Sequence, residues 1–320
     1  MKTLKSIFVI LDKPKHAQVA LERAKVIQEA SSAHLHLASF AWLAMVEHKN
    51  VFTAEQRRIL KKAAVQDRKK WLRQLVVDSK LPAADVSFEV AFTRDIASRV
   101  SERIALGDID LVIKSVHHSN ALNHSSLDWR LIRRCRKPLL LVSTKPGRAT
   151  GNVLAALALR HSDRRHRAMN RRVLDAAQRF ADMGGGRMHC VSAVEYPLRE
   201  TSHARRHSSY PLRATQSRDF LTVVSQDFDM SDIRKKQKLM HEDTNRLMEA
   251  LLESYDVPRS RIFLPAGKVG HMVAATAHKV EADLIVVGTG AQRNSDEVLI
   301  GHAAEKILTR ASCDVLAVQP

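Results

Sequence analysis

The 320-residue chain exceeds the usual size of one domain, and its 45% hydrophobic and 27% charged residues are enough for a sizeable core. Fifty-two lysines and arginines against 34 aspartates and glutamates give a net charge of +18, most of it within residues 1–150; such an excess draws polyanions without naming one. Three cysteines without CxxC spacing exclude a disulfide framework and point to a reducing compartment, and no apolar run nears the ~20 residues of a membrane span.

The N-terminal stretch MKTLKSIFVILDKPK is interrupted by Asp12 and lacks a small-residue cleavage site, so it does not read as a signal peptide, and a cytoplasmic protein is expected. Ile7–Leu11 is a β-branched strand run, and Gln18–Ala30 follows with helical spacing. Leu35–Phe40 reads as a strand. Thr53 is placed to cap a long helix from Ala54 to Asp78 whose exposed face carries Arg57, Arg58, Lys61, Lys62, Arg68, Lys69, Lys70 and Arg73. Strand Val86–Ala91, helix Asp95–Ala105, strand Leu111–Lys114, helix Leu127–Arg134 and strand Leu139–Val142 complete the first half. Strands alternating with helices predict right-handed crossovers and a parallel sheet covered on both faces.

The second half repeats this order. Strands are predicted at Val153–Leu159, Met188–Ala193, Arg261–Leu264, Leu284–Val287 and Val315–Val318, and helices at Arg165–Ala181, Ile233–Tyr255, Val269–Val280 and Ala303–Ala311. "DLVIK" at Asp110–Lys114 aligns with "DLIVV" at Asp283–Val287, the mark of a duplicated unit. The Pro- and Gly-bearing stretch Ser143–Asn152 divides the chain into domains at 1–146 and 147–320. Tyr196–Met230 has no counterpart in the first half; a polar connector this long is expected to be disordered or a functional flap.

These residues carry a resemblance. Asp12 closing the first strand, and "DLIVVGTGA…IGHAAEKILTRASCDVLAV" at Asp283–Val318, resemble the universal stress protein family. The tandem order, with "DLVIKSVHHSN" and "LDWRLIRRC", is similar to its two-domain E subtype. The resemblance implies two five-stranded Rossmann-like sheets of order 3-2-1-4-5, with the last strands of the halves paired in an intramolecular pseudo-dimer. It also implies stress-response binding of a small ligand, ATP or another adenine nucleotide, without committed catalysis. In the ATP-binding members, a Gly-x2-Gly-x9-Gly-(Ser/Thr/Asn) loop after the fourth strand cradles phosphate, since glycine lets backbone N–H groups approach closely, and an Asp ending the first strand contacts the base. Both meet at the topological switch point.

Each half departs from that pattern. In the second, Gly288 and Gly301 hold the outer glycine positions, Ala291 and His302 replace the middle glycine and the hydroxyl residue, and Ala158 stands where the Asp belongs, expected beside Val287; Gly290 lies one residue early. The candidate ligand site is therefore Ala158, Gly288, Thr289, Gly290, Gly301, His302 and Ala303. In the first half Asp12 is present, but Ser115 and His118 replace glycines, and Lys114 occupies a position that is Val287 in the other copy. Lys114 is expected to reach Asp12 and fill that crevice with an ion pair.

Other constellations imply less. His117, His118 and His124 share a loop but lack the carboxylate or cysteine partners of a metal site, so no metal is expected. Cys135, Cys190 and Cys313 read as small core residues, Trp129 as a packing anchor, and His34 and His36 as neighbours on one strand face. The basic 57–73 face supports a second reading, nucleic-acid or regulatory partner binding, although no aromatics are interleaved for base stacking. A weak ATPase or autophosphorylating activity is the third, and no general base is identifiable for it. The apolar final strands, if left as edges, also invite further self-association.

Overall fold

The computed structural model describes residues 4–47, 50–116, 126–144, 151–159, 163–195, 230–290, 293–294, 297–298 and 301–320. The first half runs β1 (Ser6–Ile10), α1 (Val19–Ser31), β2 (His34–Ala41), α2 (Ala54–Asp78), β3 (Val86–Phe92), α3 (Ile96–Ala105), β4 (Leu111–Val116), α4 (Ser126–Arg134) and β5 (Leu139–Ser143). The second runs β6 (Val153–Ala156), α5 (Arg164–Gly184), β7 (Met188–Val191), α6 (Met230–Leu252), β8 (Ile262–Phe263), α7 (Val269–Lys279) and β9 (Leu284–Gly288). A small hairpin, β10 (Arg293–Asn294) and β11 (Glu297–Val298), precedes α8 (His302–Leu308) and β12 (Asp314–Val318). The connector read at 196–230 lies outside the described residues up to 229; from 230 the chain is already α6.

In place of two separate five-stranded sheets, the strands form one ten-stranded sheet of order β3-β2-β1-β4-β5-β12-β9-β6-β7-β8. Pairs within each set of five are parallel, and the sets join through an antiparallel seam, Val315 against Leu141, Leu316 against Leu140 and Ala317 against Leu139. The sheet is therefore mixed. The inner strands β1, β4, β5, β6 and β12 are buried throughout, which explains why they are largely apolar, with Lys114 and Ser115 of β4 among the buried polar exceptions.

Pleating sends alternate residues to opposite faces. Ile7 and Val9 join α1, α2, α5 and α6 in one core layer, while Phe8 and Ile10 join α3, α4, α7 and α8 in the other. The two halves share local devices. The Asp110 carboxylate accepts the backbone N–H groups of Lys5 and Ser6 at the start of β1, and that of Asp283 accepts Gly151 N–H just before β6. Thr53 and Gln56 form a reciprocal capping box on α2, and Asp95 and Asp163 cap α3 and α5. Gly151 and Gly186 cross so closely that a Cβ on Gly186 would lie 2.1 Å from the Gly151 carbonyl carbon, so neither tolerates a side chain.

Across the seam, Arg23 of α1 meets Asp314 of β12 at 2.7 Å, and Asp314 also accepts the Ser143 N–H at 2.9 Å. Among the described residues, no helix is long and apolar enough to cross a membrane.

Candidate functional site

β6 and β9 lie side by side, Ala156 beside Val287, but the chain leaves them toward opposite faces, into α5 and α8. The divergence leaves a crevice beyond the strand ends. It holds a cavity of about 540 Å³ walled by apolar side chains, among them Leu157, Met169, Val173, Val273 and Ile307. Of the residues singled out from the sequence, Ala158, Gly288, Gly290, Gly301 and Ala303 line it. Gly288 packs against Met169: a Cβ there would sit 2.6 Å from Met169 Cγ, so that side chain would have to move. Among the described residues Gly301 is open: a Cβ there would come no nearer than 4.0 Å, to Thr289 O, and its backbone is extended, so a side chain is compatible with it.

Three expectations are revised. Thr289 does not line the cavity; it is buried, and its hydroxyl is turned to Val318 O and Gln319 Oε1. Ala158 is not beside Val287 but two residues beyond Ala156, its register partner. Gly301 N–H is taken by Thr289 O at 2.8 Å, so it is not offered to a ligand. His302 opens α8, a helix of only seven residues; its side chain, and Ala291, lie outside the described residues.

Sequence reasoning missed Asn170, a buried polar residue on the apolar stripe of α5. Its amide holds both the N–H and the carbonyl of Ala158, at 3.0 and 3.1 Å, fixing the chain where β6 ends. Glu195 was also missed; it lines the cavity while its carboxylate accepts Val269 N–H at 2.7 Å, capping α7 in place of the absent side-chain cap. His166 and Lys306 add polar lining.

The first-half crevice is built differently. Lys114 is buried, but it does not pair with Asp12. Its register partner on β1 is Ile10, and it points with Val112 and Val116 toward α4, where its Nζ meets Asp128 Oδ1 at 2.8 Å and donates to Ser115 O at 2.7 Å. Asp12 instead accepts a hydrogen bond from Ser115 Oγ. The space is thus occupied by an internal ion pair, as expected, but with a different carboxylate, and the strand pleat decides which. His118, with His117 and His124, lies outside the described residues.

A sequence profile described as the Universal stress protein family matches residues 166–319. Universal stress protein E of Salmonella typhi is 20% identical over an alignment covering 100% of this chain and 96% of its own. The chain is thus similar to the universal stress protein family, in its second half by the profile and along its whole length by the Universal stress protein E relative. Universal stress protein A homolog 1 of Coxiella burnetii is 38% identical over 82 residues, 26% of this chain and 56% of that one. A Pseudomonas aeruginosa UCBPP-PA14 structure assigned to the same family superposes with a TM-score of 0.68 at 21% identity, covering 99% of this chain and 94% of that one.

The other candidate groups lie in the core or at the surface. Cys135 and Cys190 are buried and Cys313 is partly exposed; burial pushes all three thiols up to about 12. Trp129 packs against the core layer of α4. The rings of His34 and His36 lie 4.6 Å apart, tilted by 56°, and both reach Ser87 Oγ. On α2, Arg58, Lys61, Lys62, Lys70 and Arg73 are exposed, with Arg58 paired to Glu55. Among the described residues no cluster of metal-ligating side chains is present.

Proposed function

We propose that the chain is a tandem universal stress protein, residues 1–146 and 147–320, whose two domains pack as an intramolecular pseudo-dimer about the β5–β12 seam. In this reading it acts in the stress response by holding a nucleotide or nucleotide-like ligand, an adenine nucleotide by family resemblance, in the second-half cavity. One observation carries it: the cavity of about 540 Å³ at the β6–β9 divergence, rimmed by Gly288, Gly290 and Gly301. That volume falls within the roughly 300–1,000 Å³ of small-molecule sites. With Ala158 in place of the base-contacting Asp, the base is held by apolar contact and shape.

The test is a thermal shift with ATP and AMP. Wild-type protein is expected to gain several degrees at saturating nucleotide. Gly301→Glu, which the open space around Gly301 accommodates, is expected to keep the ligand-free melting temperature and lose the gain through charge repulsion. An unshifted wild type, or an equal gain in both proteins, rejects the reading. The exposed cations of α2 favour a second reading, binding of a polyanion such as nucleic acid, whose mark is salt-dependent retention on RNA or DNA lost when Lys61, Lys62 and Lys70 become Glu.

A further inference from the structure

The loop that carries the cavity's glycine rim is fastened at Thr289. Its N–H donates to Val318 O at 3.0 Å, its hydroxyl is shared between Val318 O at 3.1 Å and Gln319 Oε1 at 2.9 Å, and its carbonyl accepts Gly301 N–H at 2.8 Å. Thr289 therefore ties both ends of the loop together and binds them to the end of β12. Gln319 carries the connection onward. It is only 4% exposed, donates from Nε2 to Ile132 O of α4 at 3.3 Å, and accepts at its own carbonyl from Arg172 of α5 at 3.0 Å. The hairpin strand β11, part of the same loop, also lies against α4. One turn before Ile132, Asp128 is fully buried and held by Lys114 of β4.

We infer that α4 of the first half is a positioning platform for the cavity rim of the second, with Gln319 as the joint and the Lys114–Asp128 pair as the anchor. A buried amide bonded through both its oxygen and its nitrogen has one rotamer open to it, so Thr289 is placed relative to α4 and not only to its own strand. A buried ion pair adds little net stability over apolar packing, yet it is directional and holds a helix in one register. The Lys114–Asp128 pair of the first half thus serves the other site. A rim ordered before the ligand arrives lowers the ordering cost of binding; this last consequence rests on the proposed reading of the cavity.

Amide hydrogen exchange on ligand-free protein, paired with ATP titration, tests the inference. Gln319→Met removes both side-chain bonds, Gln319→Glu keeps the acceptor for Thr289 but removes the donor to Ile132, and the double variant Lys114→Met/Asp128→Leu removes the anchor without stranding a charge. Exchange at Thr289 and Gly301 is expected to rise about ten-fold in each, while β7 amides stay within about two-fold of wild type. The ATP midpoint is expected to weaken in the same variants. Loop exchange equal to wild type, or a rise shared by β7, overturns the platform. Should Gln319→Met fail to fold, the other two variants decide the same question. If wild-type protein binds no ATP, the reading of the cavity falls, and the exchange data still decide the platform.

Discussion

Side chains set the chemistry available to this molecule, and its thiols are held out of it. With Cys135, Cys190 and Cys313 pushed up to about 12 by burial, only about one thiol in ten thousand is ionised at pH 8. The native protein is therefore expected to react slowly with a thiol reagent and to release three equivalents on unfolding, followed by absorbance. Rapid native labelling of all three would contradict this. His36 gives a pH signature. Burial, then the charges of His34 and Arg103, lowers its pKa below 6.5, so the unfolded chain binds its proton more readily. Stability contributed by neutral His36 is present above pH 6.5 and lost as pH falls through the lower folded value. Melting temperature should fall between pH 7 and pH 5, and His36→Gln should flatten that fall; an unchanged slope would remove His36 from the account.

Helices and strands are positioned by contacts that vary in how openly the sequence announces them. Gly270 lets α7 and α8 touch: a Cβ there would lie 2.4 Å from Lys306 O, a backbone atom that cannot swing aside. Gly270→Ala, favourable in an isolated helix, is expected to destabilise by about 1–3 kcal/mol in denaturant unfolding, and a neutral result would show that α8 shifts freely. The long elements were legible because their apolar periodicity is strong, and the start of α2 was legible from Thr53. The hairpin β10–β11 carries too little pattern to read, whereas β8 falls inside the strand expected at Arg261–Leu264. At the site, the glycine positions are found by the motif that the resemblance supplies, and Ala158 by register with the first half. Asn170 was readable as a polar residue among Met169, Val173 and Leu174, whereas Gln319, next to the last residue, has no local signal; its importance comes from partners 30 and 187 residues away. Lys114 was recognised as buried, but its partner depends on which face of the pleat α4 covers, and no strand alignment contains that.

The whole molecule is held by the seam. β5 and β12 pair through backbone bonds, Arg23 and Ser143 converge on Asp314, and Gln319 reaches Ile132. A chain cut by an inserted protease site within residues 145–150 is expected to remain one species by size-exclusion chromatography, because none of these contacts needs the link. Separation of the pieces would show that the seam depends on covalent tethering. The antiparallel join has a further consequence. In an assembly of identical subunits every substitution appears on both sides of the axis, so a lysine that plugs one crevice plugs its mate. Here position 114 holds lysine while position 287 holds valine. Joining both sides in one polypeptide releases them from shared inheritance, so that an ion pair can stand on one side and an apolar cavity on the other.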